Sequence, residues 1–368
     1  MGRVNETLLK QLVELPAPSG SEWSFQQKWM SIVKPYAEEV VVLDRALGNC
    51  AAVLNRGGLP KIMFSAHADE IRMAVGSIAE NGFIFLKNDD GMDLSLVPGR
   101  EVWIVNLKNE LIRGVIGRWA THLEGIIFKQ EDSDARKIHE YWIDIGAKNS
   151  DEIRGKGIEE GCPVIFSSGY HKLNSGFYYG RNLDNRAGVY VLIEMLKGLY
   201  KRRNRLSAEV WIVSTVQEES SDTMPVKIAA EVIKPDVGVI VDTEEACDYP
   251  AFDDLDRDYY GNLKLEEGPI LRRGLSINPT ISDLLKKTAK KFDIPHRIGA
   301  VARSEGGVTE ASYLAIAGLG IPVGEVLIPI RYTHSPYQLG AFNDLYQTKR
   351  LLSCFTMALN SKTVLGYK

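Results

Sequence analysis

The chain has 368 residues, a formal net charge of −4, and 45% hydrophobic and 25% charged residues. This is the balance of a globular protein with room for two or three domains, and it offers no basic footprint for nucleic acid or an anionic membrane. Cys50, Cys162, Cys247 and Cys354 are widely separated with no Cys-x-x-Cys pair, which argues for reduced thiols in a cytoplasmic protein rather than a disulfide scaffold or structural zinc.

The first six residues lack a signal-type apolar run, and Glu6 breaks a myristoylation pattern. Residues 6–14 have helical apolar spacing and stop at Pro16-Ala-Pro18; short strands are expected from there to His67. From about residue 71 to 168 the texture changes to short β-prone runs separated by turn signals such as Asn81-Gly82, Asp89-Asp90-Gly91 and Pro98-Gly99. That pattern predicts a small β-barrel or sandwich. After Asn174-Ser-Gly176, helical patterns at 186–200, 279–292 and 345–359 alternate with strands at 208–215, 237–241 and 322–328. Such alternation implies an α/β sheet covered by helices. Residues 1–70 and 169–368 therefore form one α/β domain, and residues 71–168 an insertion in it. The most apolar window, 313–330, holds two prolines and Glu325, and reads as helix, turn and buried strand rather than a membrane span.

Chemistry concentrates where apolar strands end. Trp211-Ile-Val-Ser-Thr-Val-Gln-Glu-Glu219 is a buried-strand sequence that ends on two adjacent carboxylates. Such a pair repels unless a cation or shared proton relieves it. Metal-assisted hydrolysis uses it well, one carboxylate ligating and the other taking a proton from water. Ile62-Met-Phe-Ser-Ala-His67-Ala-Asp69 ends in His-x-Asp, where alternation puts both side chains on one face and Asp69 can receive the other imidazole N–H. Asp184 opens the 186–200 helix, Asp242 closes the run Val237-Gly-Val-Ile-Val, and His334 follows Val326-Leu-Ile-Pro-Ile-Arg-Tyr-Thr. Singly each has a bland reading, as a cap, a surface acid or a structural histidine. Together, two histidines and three acids at loop junctions fit a dinuclear site of hard and borderline ligands.

With these residues in view, the sequence resembles the tetrahedral (TET) and glutamyl-aminopeptidase family of dinuclear metallo-aminopeptidases, which includes cellulase M-like and deblocking aminopeptidases. The resemblance covers nearly the whole chain. It includes Leu8 to the Ser-Gly20-Ser-Glu22 segment, Leu47-Gly-Asn49, the His67 segment, Leu96-Val-Pro-Gly, Gly114-Val-Ile-Gly117 and His122-Leu123. It continues through Gln217-Glu-Glu219, Gly306-Gly307 and Arg331-Tyr-Thr-His-Ser-Pro336. It implies a mixed-sheet α/β metallopeptidase domain covered by helices, with an inserted small β-barrel (PDZ-like) domain that pairs subunits on the way to a homododecamer. His67 and Asp242 would hold one divalent ion, Glu219 and His334 a second, and Asp184 would bridge them. Glu218 would be the general base and Asp69 would orient His67. The ions would be zinc, with cobalt or manganese as alternatives, and the substrates short peptides cut at the N-terminal residue.

Several positions depart from the family pattern. Asn185 stands for an acid beside the bridge, Ser220-Ser-Asp-Thr-Met-Pro225 for a glycine-rich segment, and Gly306-Gly-Val-Thr-Glu310 for Gly-Gly-Thr-Asp. Asn185 and Glu310, and His122, which matches a family histidine near the cavity, are the positions expected to face substrate. Since all five ligands and the base are present, the departures bear on specificity and rate more than on metal binding. Two other readings stay open: a dinuclear amidohydrolase or deacylase, and an assembly or binding homologue whose catalysis has drifted.

Overall fold

The central strands alternate strictly between two buried faces. In Lys61–His67, Ile62, Phe64 and Ala66 join one apolar core and Met63 the other; in Glu209–Thr215, Val210 and Ile212 join the first, and Trp211 and Val213 the second. Burial on both sides is what a sheet covered by helices requires. In this computed structural model the described residues are 4–88, 91–120, 122, 138–173, 176–220, 225–301 and 309–367. The expected turn residues Asp89, Asp90, Asn174 and Ser175, with Leu123, the segment 221–224 and Gly306, Gly307 and Val308, lie outside them.

The chain divides into two units, Met1–Glu70 with Tyr170–Thr333 and Tyr337–Lys368, and Ile71–Gly169 with His334–Pro336. The first unit carries an eleven-stranded mixed sheet. At its centre Glu209–Thr215, Lys61–His67, Val237–Glu245 and Val323–Arg331 run parallel, in that order, while the flanking strands Cys50–Leu54 and Gln338–Ala341 are antiparallel. One core is covered by the helices Glu6–Glu14, Trp23–Val33, Leu183–Tyr200, Pro279–Lys291 and Phe342–Ala358. The other is covered by Val226–Ile233 and Glu310–Ala315. The second unit is a closed six-stranded antiparallel barrel around Met73, Val75, Ile84, Val102, Ile104 and Ile143. No helix among the described residues is long and apolar enough to cross a membrane.

The first helix is Glu6–Glu14, with Asn5 accepting the Leu8 N–H as its cap and Leu8, Leu9, Leu12 and Val13 buried. Two expectations need correction. The stretch between Pro18 and His67 contains not only strands but the helix Trp23–Val33, which buries Phe25, Trp29 and Val33 at four-residue spacing; polar Gln26 and Gln27 between them blur the apolar pattern. The strand predicted at 237–241 continues to Glu245, because Val323–Arg331 runs alongside and offers backbone partners as far as Ile330. Asp242 therefore sits inside a strand, not at its end.

Beneath the sheet's carboxyl edge lies a buried ion network. Glu70 Oε2 accepts the Arg181 Nε–H at 2.8 Å, and Glu70 Oε1 accepts the Ala17 N–H at 2.9 Å and lies 3.4 Å from Arg186. Arg186 donates to the Ala68 carbonyl at 2.5 Å and stacks 3.9 Å over the Phe25 ring. Burial opposes both charges, yet the two guanidiniums hold the Glu70 carboxyl below its ordinary range, while burial brings Arg186 down to about 10. Removing one partner of such a network leaves an uncompensated buried charge. Glu70→Ala is expected to destabilise the fold by about 3–5 kcal/mol in urea denaturation. A loss under about 1 kcal/mol, the size of a surface pair, would contradict this account.

Candidate metal centre

Alternation decides which side chains meet. His67 shares the face of Met63 and Ser65; Thr215 shares that of Trp211 and Val213; Asp242 shares that of Ile240. Because His67 and Thr215 are paired across adjacent parallel strands, the loops that follow leave the sheet side by side. In open α/β sheets that carboxyl edge is where ligands bind.

His67 is 1% exposed and stands at the middle of a ring of carboxylates. Its Nε2 lies 3.2 Å from Asp184 Oδ1, 3.6 Å from Asp242 Oδ1 and 4.0 Å from Glu218 Oε2; its Nδ1 lies 3.4 Å from Asp69 Oδ1. One ligand atom each of His67, Asp184 and Glu219 falls within 4.8 Å of the other two. The sequence-predicted His67, Asp69, Asp184, Glu218, Glu219 and Asp242 thus come together in the first unit.

The electrostatics are those of buried acids crowded around one imidazole. Burial works against a charged imidazole, but Asp184, Asp242 and Asp69 outweigh it and lift the His67 pKa well above its ordinary value. Burial pushes Glu218 well up, opposed by His67 and reinforced by Asp242 and Glu219; burial likewise raises Asp242. Asp69 shifts the other way: against burial, His67 and the N–H groups of Glu219 and Glu218 hold it low. One imidazole cannot balance four neighbouring acids in a low-dielectric pocket. A donor set of nitrogen and carboxylate oxygen at this density fits divalent cations such as zinc, manganese or cobalt.

The turn that carries the glutamate pair is held almost entirely by side chains. Glu218 N–H and Glu219 N–H donate to the two oxygens of Asp69 at 3.0 Å each. Gln217, in the left-handed region with φ +55°, donates to Glu22 Oε1 at 3.0 Å, and Val216 donates to Asn49 Oδ1 at 3.3 Å. Glu22 and Asn49 lie in segments the sequence marks, but nothing local to them reveals this contact; their partners are 195 and 167 residues away. Glu245 was also missed. It accepts the N–H groups of Tyr332 and Thr333 at 3.0 Å each and so fixes the turn that leads to His334.

The remaining expected residues fall in different settings. Asn185 is 1% exposed, and both ends of its amide are engaged: Nδ2 donates to the Val241 carbonyl at 2.8 Å and Oδ1 accepts the Gly188 N–H at 3.0 Å. A Cβ on Gly188 would come within 2.2 Å of that Oδ1, so only glycine permits this packing. Asn185 thereby ties the start of the Asp184 helix to the residue preceding Asp242. Glu310 is 1% exposed, bonded at 2.9 Å by the Ser65 hydroxyl, and pushed by burial up to about 7 against the hydrogen bonds of Thr215 and Ser65. His122 is exposed in the barrel unit. His334 groups with that unit too, with its Nδ1 2.8 Å from the Gly91 carbonyl.

The chain as a whole is similar to known proteins. A relative from Acetivibrio thermocellus is 30% identical over 94% of this chain and 96% of its own. The lysyl aminopeptidase of Pyrococcus furiosus is 28% identical over 95% of each chain. The solved structure of the Pyrococcus horikoshii TET1 peptidase, which can assemble into a tetrahedron or a large octahedral shell, superposes with a TM-score of 0.82 at 26% identity, covering 96% of this chain and 99% of that one. The profile of M42 glutamyl aminopeptidases matches residues 48–351. The chain therefore belongs to the M42 glutamyl aminopeptidase family.

Proposed function

We propose that this protein is a metal-dependent aminopeptidase that removes N-terminal residues from short peptides at a site for two divalent cations. The observation that carries the reading is the convergence of His67, Asp184 and Glu219, with Glu218 and Asp242 beside them, on one buried edge of the sheet. By the family pattern, His67 and Asp242 would hold one ion and Glu219 and His334 the other, with Asp184 shared by both. Zinc suits this imidazole and carboxylate set, and cobalt or manganese can take its place. When bound, the pair would acidify the attacking water and polarise the scissile carbonyl.

The chain's own residues supply the rest. Asp69 orients the His67 ring and pins the turn below Glu218. Glu218 takes the proton of the attacking water and returns it to the leaving amine. The acid ring also suits a protonated α-amine, the feature that separates an N-terminal residue from an internal one. Asn185 keeps Asp184 and Asp242 in register by its bond to the Val241 carbonyl.

The barrel unit exposes Leu107, Leu111, Val115 and Trp119. We infer that this unit, residues 71–168 in the sequence reading, joins subunits into a homododecamer that admits only short peptides. The tetrahedral or octahedral shell formed by the Pyrococcus horikoshii relative supports self-association. Light scattering of the purified protein is expected to give a mass of many subunits; monomer at micromolar concentration refutes the assembly and leaves the chemistry intact.

The reaction itself is tested on Glu218→Gln. The variant is expected to keep its metals by elemental analysis while turnover of an aminoacyl anilide falls by about 10²–10⁴-fold. Wild-type turnover would move the base elsewhere, and lost metal would make Glu218 a ligand.

A further inference from the structure

Four consecutive backbone N–H groups, those of Val216, Gln217, Glu218 and Glu219, are each received by a side chain: Asn49 Oδ1, Glu22 Oε1, Asp69 Oδ1 and Asp69 Oδ2. The turn that presents the glutamate pair thus has its direction set by three residues of the first seventy. We propose that Glu22 is a positioning residue that aims Glu218, acting through the backbone of Gln217; the inference rests on the reading of Glu218 as the base.

Glu22 opens the helix Trp23–Val33, is 4% exposed, and uses a single oxygen, Oε1, to accept both the Gly20 N–H at 2.8 Å and the Gln217 N–H at 3.0 Å. One carboxylate therefore fastens the turn to the N-terminal loop. Gln217 is the residue that needs it. At φ +55° it occupies a region that residues with a Cβ rarely adopt, directly before the base. Its N–H points inward, and with no acceptor there it would be a buried unsatisfied donor, relieved only by rotation of the turn. Asp69 would still hold the next two amides, so the change would fall on the aim of Glu218 rather than on the presence of the ligands. Burial and the neighbouring Asp69 push the Glu22 carboxyl up to about 7, and in either protonation state it keeps an oxygen that can accept the Gln217 N–H.

The test compares Glu22→Ala, Glu22→Met and Glu22→Gln in the full chain with metal bound. Small misplacements of a catalytic group cost up to about 10²-fold, so Glu22→Ala should lower kcat by about 10–100-fold with KM and metal content unchanged. Glu22→Met fills the volume without an acceptor, and must show the same loss even if the alanine variant fails to fold. Glu22→Gln keeps a carbonyl oxygen in place and should restore most of the rate. Because Glu22 acts through Glu218, adding Glu22→Ala to Glu218→Gln should slow the enzyme no further. An unchanged kcat in Glu22→Met, no rescue by glutamine, multiplying losses in the double variant, or loss of metal overturns the inference. A wild-type rate in Glu218→Gln alone overturns the base reading itself, and the inference with it.

Discussion

Asp69 is fully buried, and its two oxygens accept the N–H groups of Glu218 and Glu219 while one of them lies 3.4 Å from His67 Nδ1. One carboxylate thereby couples the ends of two neighbouring parallel strands: the imidazole that leaves one and the acid pair that leaves the other. Its charge is retained because these donors outweigh the cost of burial. The arrangement leaves His67 with Nε2 turned toward Asp184 and Asp242, the geometry that a metal-ligating histidine needs from the carboxylate behind it. Were Asp69 free to rotate, the His67 ring would lose its Nδ1 partner and the turn two of its four side-chain anchors.

A second constraint follows from the first. Crowding acids at the end of a sheet is unfavourable for folding unless the scaffold beneath is rigid and its own charges are matched. Glu70 with Arg181 and Arg186, and Glu310 with Ser65 and Thr215, form that scaffold, and each is tied to a strand or helix that also carries a site residue. Gln217 and Tyr332 both have positive φ and are held there by the carboxylates of Glu22 and Glu245.

Much of the site was legible because strand periodicity and chemistry coincide in single short segments. His67 and Asp69 are two apart in one run, and Glu218 and Glu219 follow the apolar stretch that ends at Val216. The helix beginning after Asn185 was legible too: Asp184 and Asn185 are not helical, and the apolar 3.6 pattern starts where they stop. What escaped were interactions between residues far apart in sequence. No pattern around Glu22 or Asn49 reports that each caps an amide on the glutamate turn, and nothing near Glu245 reports the loop it holds. Asn185 read as a lost charge facing substrate; its burial and two backbone bonds give it a tethering role between Asp184 and Asp242 that only the packed Gly188 neighbour makes evident. The helix Trp23–Val33 escaped for a simpler reason, since its buried face includes a glutamine that donates to the Ser214 carbonyl.

The account stands on the claim that this ring of carboxylates around one imidazole holds a pair of cations through Asp184. Elemental analysis of wild type and Asp184→Ala after exhaustive dialysis measures this directly. A bridged two-ion site predicts about two divalent ions per chain in the wild type and a clear loss in the variant. Full occupancy in Asp184→Ala would contradict it.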